Sequence, residues 1–287
     1  MGEMSAELLD GTKVAGRMNM KTADRVGQLL AAGRTVGLGT ILVGDDAPSA
    51  NYVAMKHADC AIMGITSVHE HLSGAATQAE VESIIDRMNA DLNIDGILVQ
   101  LPLPEGMNQE EVLRRINPEK DVDGLHPFNL GRLAMGQPGP LPCTPAGIVD
   151  LLLAHRVPVA GQHVVIIGRG LTVGRPLALL MALPRVGCNA AVSVVHRGVE
   201  NISEIVRSGD VVVSAAGSPG LVTPEMVKPG AAVVGAGTSF ANGRLLSDIA
   251  DGVENLAGWI TPRIGGVGPM TRAMLMRNTV LAAEKVR

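Results

Sequence analysis

Residues 163–176, His163-Val-Val-Ile-Ile-Gly-Arg-Gly-Leu-Thr-Val-Gly-Arg-Pro176, decide the fold. An apolar, β-branched run passes directly into Gly168, Gly170 and Gly174 and then into a segment of helical composition. Glycine lets the backbone turn tightly and come close to a pyrophosphate, whose charge is stabilised by the N-terminus of the helix that follows. The spacing is Gly-x-Gly-x-x-x-Gly, one residue longer than the usual dinucleotide fingerprint, so its weight comes from context. The next strand ends near His196-Arg197, where NAD-specific folds place a carboxylate for the ribose hydroxyl. That region offers Arg197 and no acid. A cation suits a 2′-phosphate, which favours NADP over NAD and makes Arg169 a second phosphate contact.

Working outward from this loop, apolar β-branched runs alternate with segments of helical period along nearly the whole chain, the signature of βαβ units and a parallel sheet. The first series predicts a helix over 13–32, a strand over 35–43, a helix over 48–63, a strand over 67–72, a helix over 78–89, a strand over 96–100 and a short helix over 109–116. From 117 to 145 the composition shifts to Pro, Gly and polar residues and reads as a connection between two domains. A helix is expected to start near Thr144, with Pro145 at its first position. The second series predicts strands over 163–167, 190–196, 210–215 and 231–235. The expectation is an α/β protein of two domains: an N-terminal α/β domain over 1–145, a Rossmann-type parallel-sheet domain over 146–269, and a C-terminal helix over 270–287 that packs back on the first domain.

The 287 residues are 46% hydrophobic, 18% charged and 1% aromatic, with a net charge of −4. Disorder is excluded by the apolar content. Nucleic-acid binding is disfavoured, because no Lys/Arg run could neutralise several phosphates and four aromatics make no stacking platform. Apolar runs such as Val164 to Ile167 and Val211 to Val213 are far shorter than the roughly 18 residues of a membrane helix. The first residues carry no apolar signal core, and Ala6 stands where a myristoylation site wants Ser or Thr, so a cytoplasmic protein is expected. Cys60, Cys143 and Cys188 are far apart, which predicts buried, reduced thiols. His69 and His71 alternate on one strand face without a suitably spaced third ligand, so no metal is expected.

Asn51-Tyr-Val-Ala-Met-Lys56 places a phenol and an ammonium at i and i+4 on one helix face. A surface lysine resting on a tyrosine is the plain reading. Against it, Tyr52 is the only tyrosine in the chain, and the segment follows Val43-Gly-Asp-Asp-Ala-Pro48 at the C-terminal end of a strand, where α/β sites form. Because the pair precedes the glycine loop, it belongs to the first domain and must meet the cofactor across a cleft. Val99-Gln-Leu-Pro-Leu-Pro104 and Lys120-Asp-Val-Asp-Gly124 can line that cleft with an amide and with carboxylates. Gly265-Gly-Val-Gly-Pro-Met270 is a further glycine-rich stretch.

In order along the chain, Tyr52-x-x-x-Lys56, Asp95-Gly-Ile-Leu-Val-Gln-Leu-Pro-Leu-Pro104, Lys120-Asp-Val-Asp-Gly124, Pro142-Cys-Thr-Pro145, the Gly168 loop and Gly265-Gly-Val-Gly-Pro-Met-Thr271 resemble the bifunctional methylenetetrahydrofolate dehydrogenase/methenyltetrahydrofolate cyclohydrolases. The resemblance implies a cleft between two domains, a homodimer, NADP as cofactor, and tetrahydrofolate one-carbon derivatives as substrates. It implies oxidation of 5,10-methylenetetrahydrofolate followed by hydrolysis of the methenyl product to 10-formyltetrahydrofolate. By position, Lys56 matches the catalytic lysine, Tyr52 the residue packing on the folate, Gln100 the amide that tunes the lysine, and Asp123 the carboxylate that holds the pterin. Val99 and Leu101 flank the amide. Gly265, Gly266, Val267, Gly268 and Pro269 match the loop beside the folate. Gly168, Arg169, Gly170, Gly174, Arg197 and Thr238 fall at cofactor positions.

The chain departs from family habit in three places: Gly170 stands where Ser is common, Gly235 where Asp is common, and Arg263-Ile264 where Val-Pro is common. Arg263 adds a charge that could meet a glutamate tail. Two other readings are a dehydrogenase with little cyclohydrolase activity and a nonenzymatic NADP-binding module. Retention of Lys56 and Gln100 disfavours the first, and the intact set of Tyr52, Lys56, Gln100 and Asp123 disfavours the second, which needs binding groups but no proton shuttle.

Overall fold

A computed structural model describes residues 6–241 and 244–285 of the chain. The chain divides into two compact units, one formed by the N-terminal residues up to Ala15 with Thr144–Thr271, the other by Gly16–Cys143 with the segment from Arg272 onward.

In chain order the elements are β1 (Glu7–Leu8), α1 (Gly11–Ala31), β2 (Gly37–Val43), α2 (Ala47–Met63), β3 (Thr66–Leu72), α3 (Gln78–Ala90), β4 (Gly96–Val99), α4 (Gln109–Arg115), α5 (Pro127–Ala134) and α6 (Cys143–Ala154). Then come β5 (His163–Ile167), α7 (Gly174–Ala182), β6 (Ala191–Val195), α8 (Ile202–Arg207), β7 (Val211–Ser214), β8 (Ala232–Gly235), β9 (Thr238–Ala241), β10 (Arg244–Ser247), β11 (Trp259–Ile260) and α9 (Val267–Lys285).

The unit containing residues 16–143 is built on a three-stranded parallel sheet in the order β3-β2-β4, with Leu38 opposite Gly96 and Ile41 opposite Val99. Every residue of β2 and β4 is buried, as expected for parallel strands covered on both faces. Helix α2 starts where the Asp46 carboxylate accepts the Ser49 N–H at 2.9 Å, and it stops at Gly64, whose φ of 75° closes the cap. Helix α3 starts at a reciprocal capping box between Thr77 and Glu80.

Beyond β4 the chain returns to its own sheet. Asp121 forms a parallel bridge with Ile97, and the Ile97 N–H donates to Lys120 O at 2.7 Å. Gly96 permits this approach, since a Cβ there would stand 2.5 Å from Val122 Cγ1. The Asp121 carboxylate, buried, then accepts the N–H groups of Leu125 and His126 and Asn129 Nδ2 at 3.2, 2.9 and 2.8 Å, fixing the turn and the start of α5. The sequence reading took 117–145 for a connection between domains. The structure places 117–143 inside the unit, with α5 in it, because a buried carboxylate and the His126 cap with Pro127 organise residues that composition alone marks as loop.

The other unit carries a six-stranded sheet, β1-β11-β8-β7-β5-β6, in which every strand pair is parallel. Since β6 lies on one side of β5 and β7 on the other, the strand order reverses between β5 and β7, the place in open α/β sheets where ligands bind outside the carboxyl ends of the strands. Residues 6–15 were expected in the N-terminal domain, but Glu7 pairs with Trp259 and Leu8 with Ile260, so the first strand edges the second sheet. Two-residue strands carry no readable period, and the β9–β10 hairpin was missed as well.

Helix α9 begins at Val267, three residues earlier than the expected start at Met270, which puts Gly268 and Pro269 in its first turn. Further along, buried Asn278 donates to Val122 O at 2.9 Å and to Leu141 O at 3.0 Å, while Arg272 pairs with Asp59 at 2.6 Å. Replacing Asn278 by Ala removes both of these hydrogen bonds, one of them buried, and should cost about 2 kcal/mol. A thermal midpoint equal to that of the wild type would show that these bonds add no net stability.

Candidate active site

Four of the residues singled out in the sequence come together in the unit of residues 16–143. Helix α2 carries Tyr52 and Lys56, and the Lys56 ammonium lies 4.7 Å from the centroid of the Tyr52 ring. The end of β4 presents Gln100, whose Oε1 accepts from Lys56 Nζ at 2.9 Å while its own Nε2 donates to Leu101 O at 2.8 Å. That second bond fixes which end of the amide faces the lysine. Val99 is buried beneath it and Leu101 half-buried beside it.

Lys56 is only 5% exposed. Burial pushes its ammonium below the ordinary lysine range, against the raising influence of Asp123, and the Arg272 guanidinium adds to the lowering. Burial likewise pushes the Asp123 carboxyl up, opposed chiefly by the charge of Lys56, with Asp121 nearby adding to the rise. Desolvation therefore drives both groups toward their neutral forms. Cys143, at the start of α6, hydrogen-bonds Asp123 and also sits within donor reach of Val122 O at 3.3 Å. Cys143, Asp121 and Arg272 escaped the sequence reading as site residues. Pro142-Cys-Thr-Pro145 was noticed as a motif, but nothing in its spacing tells which acid a thiol will meet.

The second cluster belongs to the other unit. Gly168 has a φ of 121°, and a Cβ there would stand 2.6 Å from Ala215 O. At Gly174 a Cβ would meet Gly168 O at 2.1 Å, so both positions admit only glycine. Above Gly170 nothing lies within 4 Å of a Cβ, leaving open room over the turn from β5 into α7. This is a cradle of the kind a pyrophosphate fills, and the residues present fit a dinucleotide. The open space means that a serine would fit at 170 as readily as the glycine present.

Arg197 is exposed on the turn after β6, and Arg169 Nη1 lies 3.1 Å from His196 Nε2. His196 Nδ1 already accepts the Gly198 N–H at 3.1 Å. Thr238 opens β9 opposite Ser247, and its side chain lies outside what the structure describes. Gly265, with a φ of 88°, and Gly266 pack against the start of α1, where Thr12 N donates to Gly265 O at 2.9 Å. Val267, Gly268 and Pro269 follow in the first turn of α9. Arg263 is engaged by Asp251, so a carboxylate tail would have to compete for it.

His69 Nδ1 lies 2.9 Å from Thr40 Oγ1 and His71 Nε2 lies 2.9 Å from Gly44 O, their rings stacked 6.1 Å apart on one strand face. Among the described residues no group of three or more His, Cys, Asp or Glu is placed to hold a metal, and no helix is long and apolar enough to cross a membrane.

Comparison with known proteins assigns both parts of the chain to one family. Residues 9–123 match the tetrahydrofolate dehydrogenase/cyclohydrolase catalytic domain, and residues 142–287 match the NAD(P)-binding domain of the same family. The chain is 48% identical to the bifunctional protein FolD of Syntrophotalea carbinolica over 98% of its own length and 97% of that protein's. Its fold superposes with a TM-score of 0.93 on the crystal structure of the bifunctional FolD methylenetetrahydrofolate dehydrogenase/cyclohydrolase from Campylobacter jejuni, at 38% identity and covering 98% and 99% of the two chains. The Trypanosoma brucei N5,N10-methylenetetrahydrofolate dehydrogenase-cyclohydrolase, solved with NADP cofactor and an inhibitor, gives 0.92 at 38% identity, covering 98% of each chain.

The three cysteines are unpaired and buried. Burial pushes the Cys60 thiol up to about 12 and the Cys143 thiol well above its ordinary value, and raises Cys188 too. Since the thiolate is the nucleophile, iodoacetamide at pH 8 should leave all three unmodified in the folded protein and label them after denaturation, as read by mass spectrometry. Fast labelling of the native protein would contradict this burial.

Proposed function

The chain belongs to the tetrahydrofolate dehydrogenase/cyclohydrolase family, and from that premise we propose that it oxidises 5,10-methylenetetrahydrofolate with NADP and hydrolyses the methenyl product to 10-formyltetrahydrofolate. The observation that carries this reading is a buried lysine held by an amide and faced by a carboxylate, a set that serves proton transfer and not binding alone. Bound NADP supplies the hydride acceptor for the first reaction. The folate nitrogen lone pair stabilises the cation that forms, so this step asks the protein mainly for alignment. Asp123 is suited to the pterin's N–H donors, which favour its ionised form on arrival and so offset the burial that raises it. Tyr52 offers an aromatic face to the folate.

Hydrolysis makes different demands. Water attacks the methenyl carbon, a proton must leave the attacking oxygen, and the ring nitrogen that departs must be protonated. Lys56 can do both in turn, provided it starts neutral. Burial favours that form already, and a cationic methenyl substrate disfavours a second positive charge beside it still further. Gln100 Oε1 holds the amine in place, because Nε2 is committed to Leu101 O.

Arg197 and Arg169 are assigned to the 2′-phosphate, Gly168, Gly170 and Gly174 to the pyrophosphate turn, and Thr238 to the cofactor. The 265–269 stretch is assigned to the folate, as are Val99 and Leu101. A homodimer is expected on the resemblance and is supported by β3, the edge strand of its sheet, with Val68 exposed on it and Ile62 exposed at the end of α2. Cytoplasmic residence is supported by unpaired cysteines and the modest negative charge.

Because Lys56 must be neutral to act, the hydrolysis rate should rise with pH along a limb lying below the ordinary lysine range. Lys56→Met should abolish hydrolysis and that limb together while NADPH binding is kept. Undiminished hydrolysis in this variant would remove the lysine from the mechanism. Arg197→Ala should weaken NADP by about tenfold and leave NAD nearly unchanged, as expected from one charge-assisted contact. Equal losses for both cofactors, measured by titration, would move the phosphate contact elsewhere.

A further inference from the structure

Asp248 is fully buried, at 0% exposure, immediately after β10, and no motif in the sequence draws attention to it. Its Oδ2 accepts from Ser214 Oγ at 2.7 Å, Ala216 N at 2.9 Å and Gly217 N at 3.1 Å, and its Oδ1 accepts from Ser218 N at 2.7 Å. Three successive backbone N–H groups converging on an anion form a nest, the arrangement that proteins use for phosphates. Here the protein's own carboxylate fills it. The loop 215–218 therefore cannot serve as a phosphate cradle and acts as a wall of fixed shape.

The position of that wall gives Asp248 its role. The loop leaves the carboxyl end of β7, beside the reversal of strand order, and Ala215 O lies where a Cβ of Gly168 would be, 2.6 Å away. Ala215 N is tied to Ile167 O at 2.8 Å, directly before the glycine turn. On its other side, Gly220 N donates to Ser247 O at 3.0 Å and Val222 N to Asp248 O at 2.9 Å, so the same strand end clamps the chain where it leaves the loop. The loop after β8 also closes on the carboxylate: a Cβ at Gly237 would stand 2.0 Å from Asp248 Oδ2, so only glycine leaves room for it.

The geometry points to Asp248 as a positioning residue for the cofactor, one that holds the loop after β7 through its backbone N–H groups and, through that loop, fixes the wall beside the glycine turn after β5. This assignment rests on the NADP reading above. It makes no contact with the reacting atoms, and its effect should appear in cofactor affinity.

The test uses the full chain and three variants, Asp248→Asn, Asp248→Ala and Ser214→Ala. In Asp248→Asn the amide oxygen can keep the cluster held by Oδ2, but the amide nitrogen then confronts the Ser218 N–H, donor against donor. We expect the NADPH dissociation constant, from fluorescence titration, to rise about tenfold in Asp248→Asn, the loss of one bond to a charged group, and further in Asp248→Ala. The KM for NADP should rise in parallel, with kcat at saturating NADP reduced far less. Hydrolysis of added methenyltetrahydrofolate, which consumes no cofactor, should fall much less than NADPH binding does. Ser214→Ala keeps the backbone nest and should give a rise of about threefold, so the inference stays testable if Asp248→Ala does not fold. Unchanged NADPH binding in Asp248→Asn and Ser214→Ala, or hydrolysis lost in step with binding, would overturn it. A wild-type chain that does not bind NADPH would overturn the NADP reading and this inference together, before any variant is made.

Discussion

Removing the Lys56 ammonium from water is the constraint on which the catalytic unit depends. An isolated buried charge costs several kcal/mol, and the protein meets that cost partly by pushing the group toward its neutral form. The chemistry assigned to the site needs that same form. Each surrounding element holds one piece of the arrangement. The Asp46 cap fixes where α2 begins and hence which residue faces inward, β4 delivers Gln100 at its end, and the bridge from Ile97 to Asp121 brings Asp123 back alongside. Helix α9 contributes Arg272, kept in place by Asp59, whose charge works in the same direction as burial.

Three carboxylates, two of them buried and Asp123 half-buried, illustrate how differently one functional group can be used. Asp121 is spent on structure, accepting backbone and Asn129 donors so that a turn and a helix start in the right place. Asp123, two residues on, faces a cation and a thiol and has capacity left for a ligand's donors. Asp248, in the other unit, meets only N–H and O–H dipoles at short range and so gives shape to loops. The partners that each carboxylate meets decide its role.

The departures from family habit also have local explanations. Glycine at 170 stands over open space, so the loss of a hydroxyl there changes chemistry without changing backbone. At Gly235, a Cβ would come within 3.0 Å of Ser247 Oγ and 3.1 Å of Ile249 Cγ1, a tight fit for any side chain in this packing. Arg263, just before the glycine stretch, lies beside Asp251, and both partners are exposed, so the pair is easily exchanged for another carboxylate.

The sequence by itself determined the parallel α/β layout, the dinucleotide turn and the lysine-tyrosine pair. Each rests on short-range period and on residue types, such as Gly168 and Gly174, whose backbone requirements are local. Strands β2, β4, β5 and β7 were legible for the same reason, being continuous apolar runs. What only the tertiary structure decided concerns contacts between residues far apart in the chain. Neither the pairing of Glu7 with Trp259 nor the folding of 117–143 into its own unit has a local period, and both depend on partners that composition does not name. The environments of Lys56 and Asp248 were hidden likewise: a lysine or an aspartate reads the same in sequence whether solvated or buried, and burial is a property of everything that packs around it.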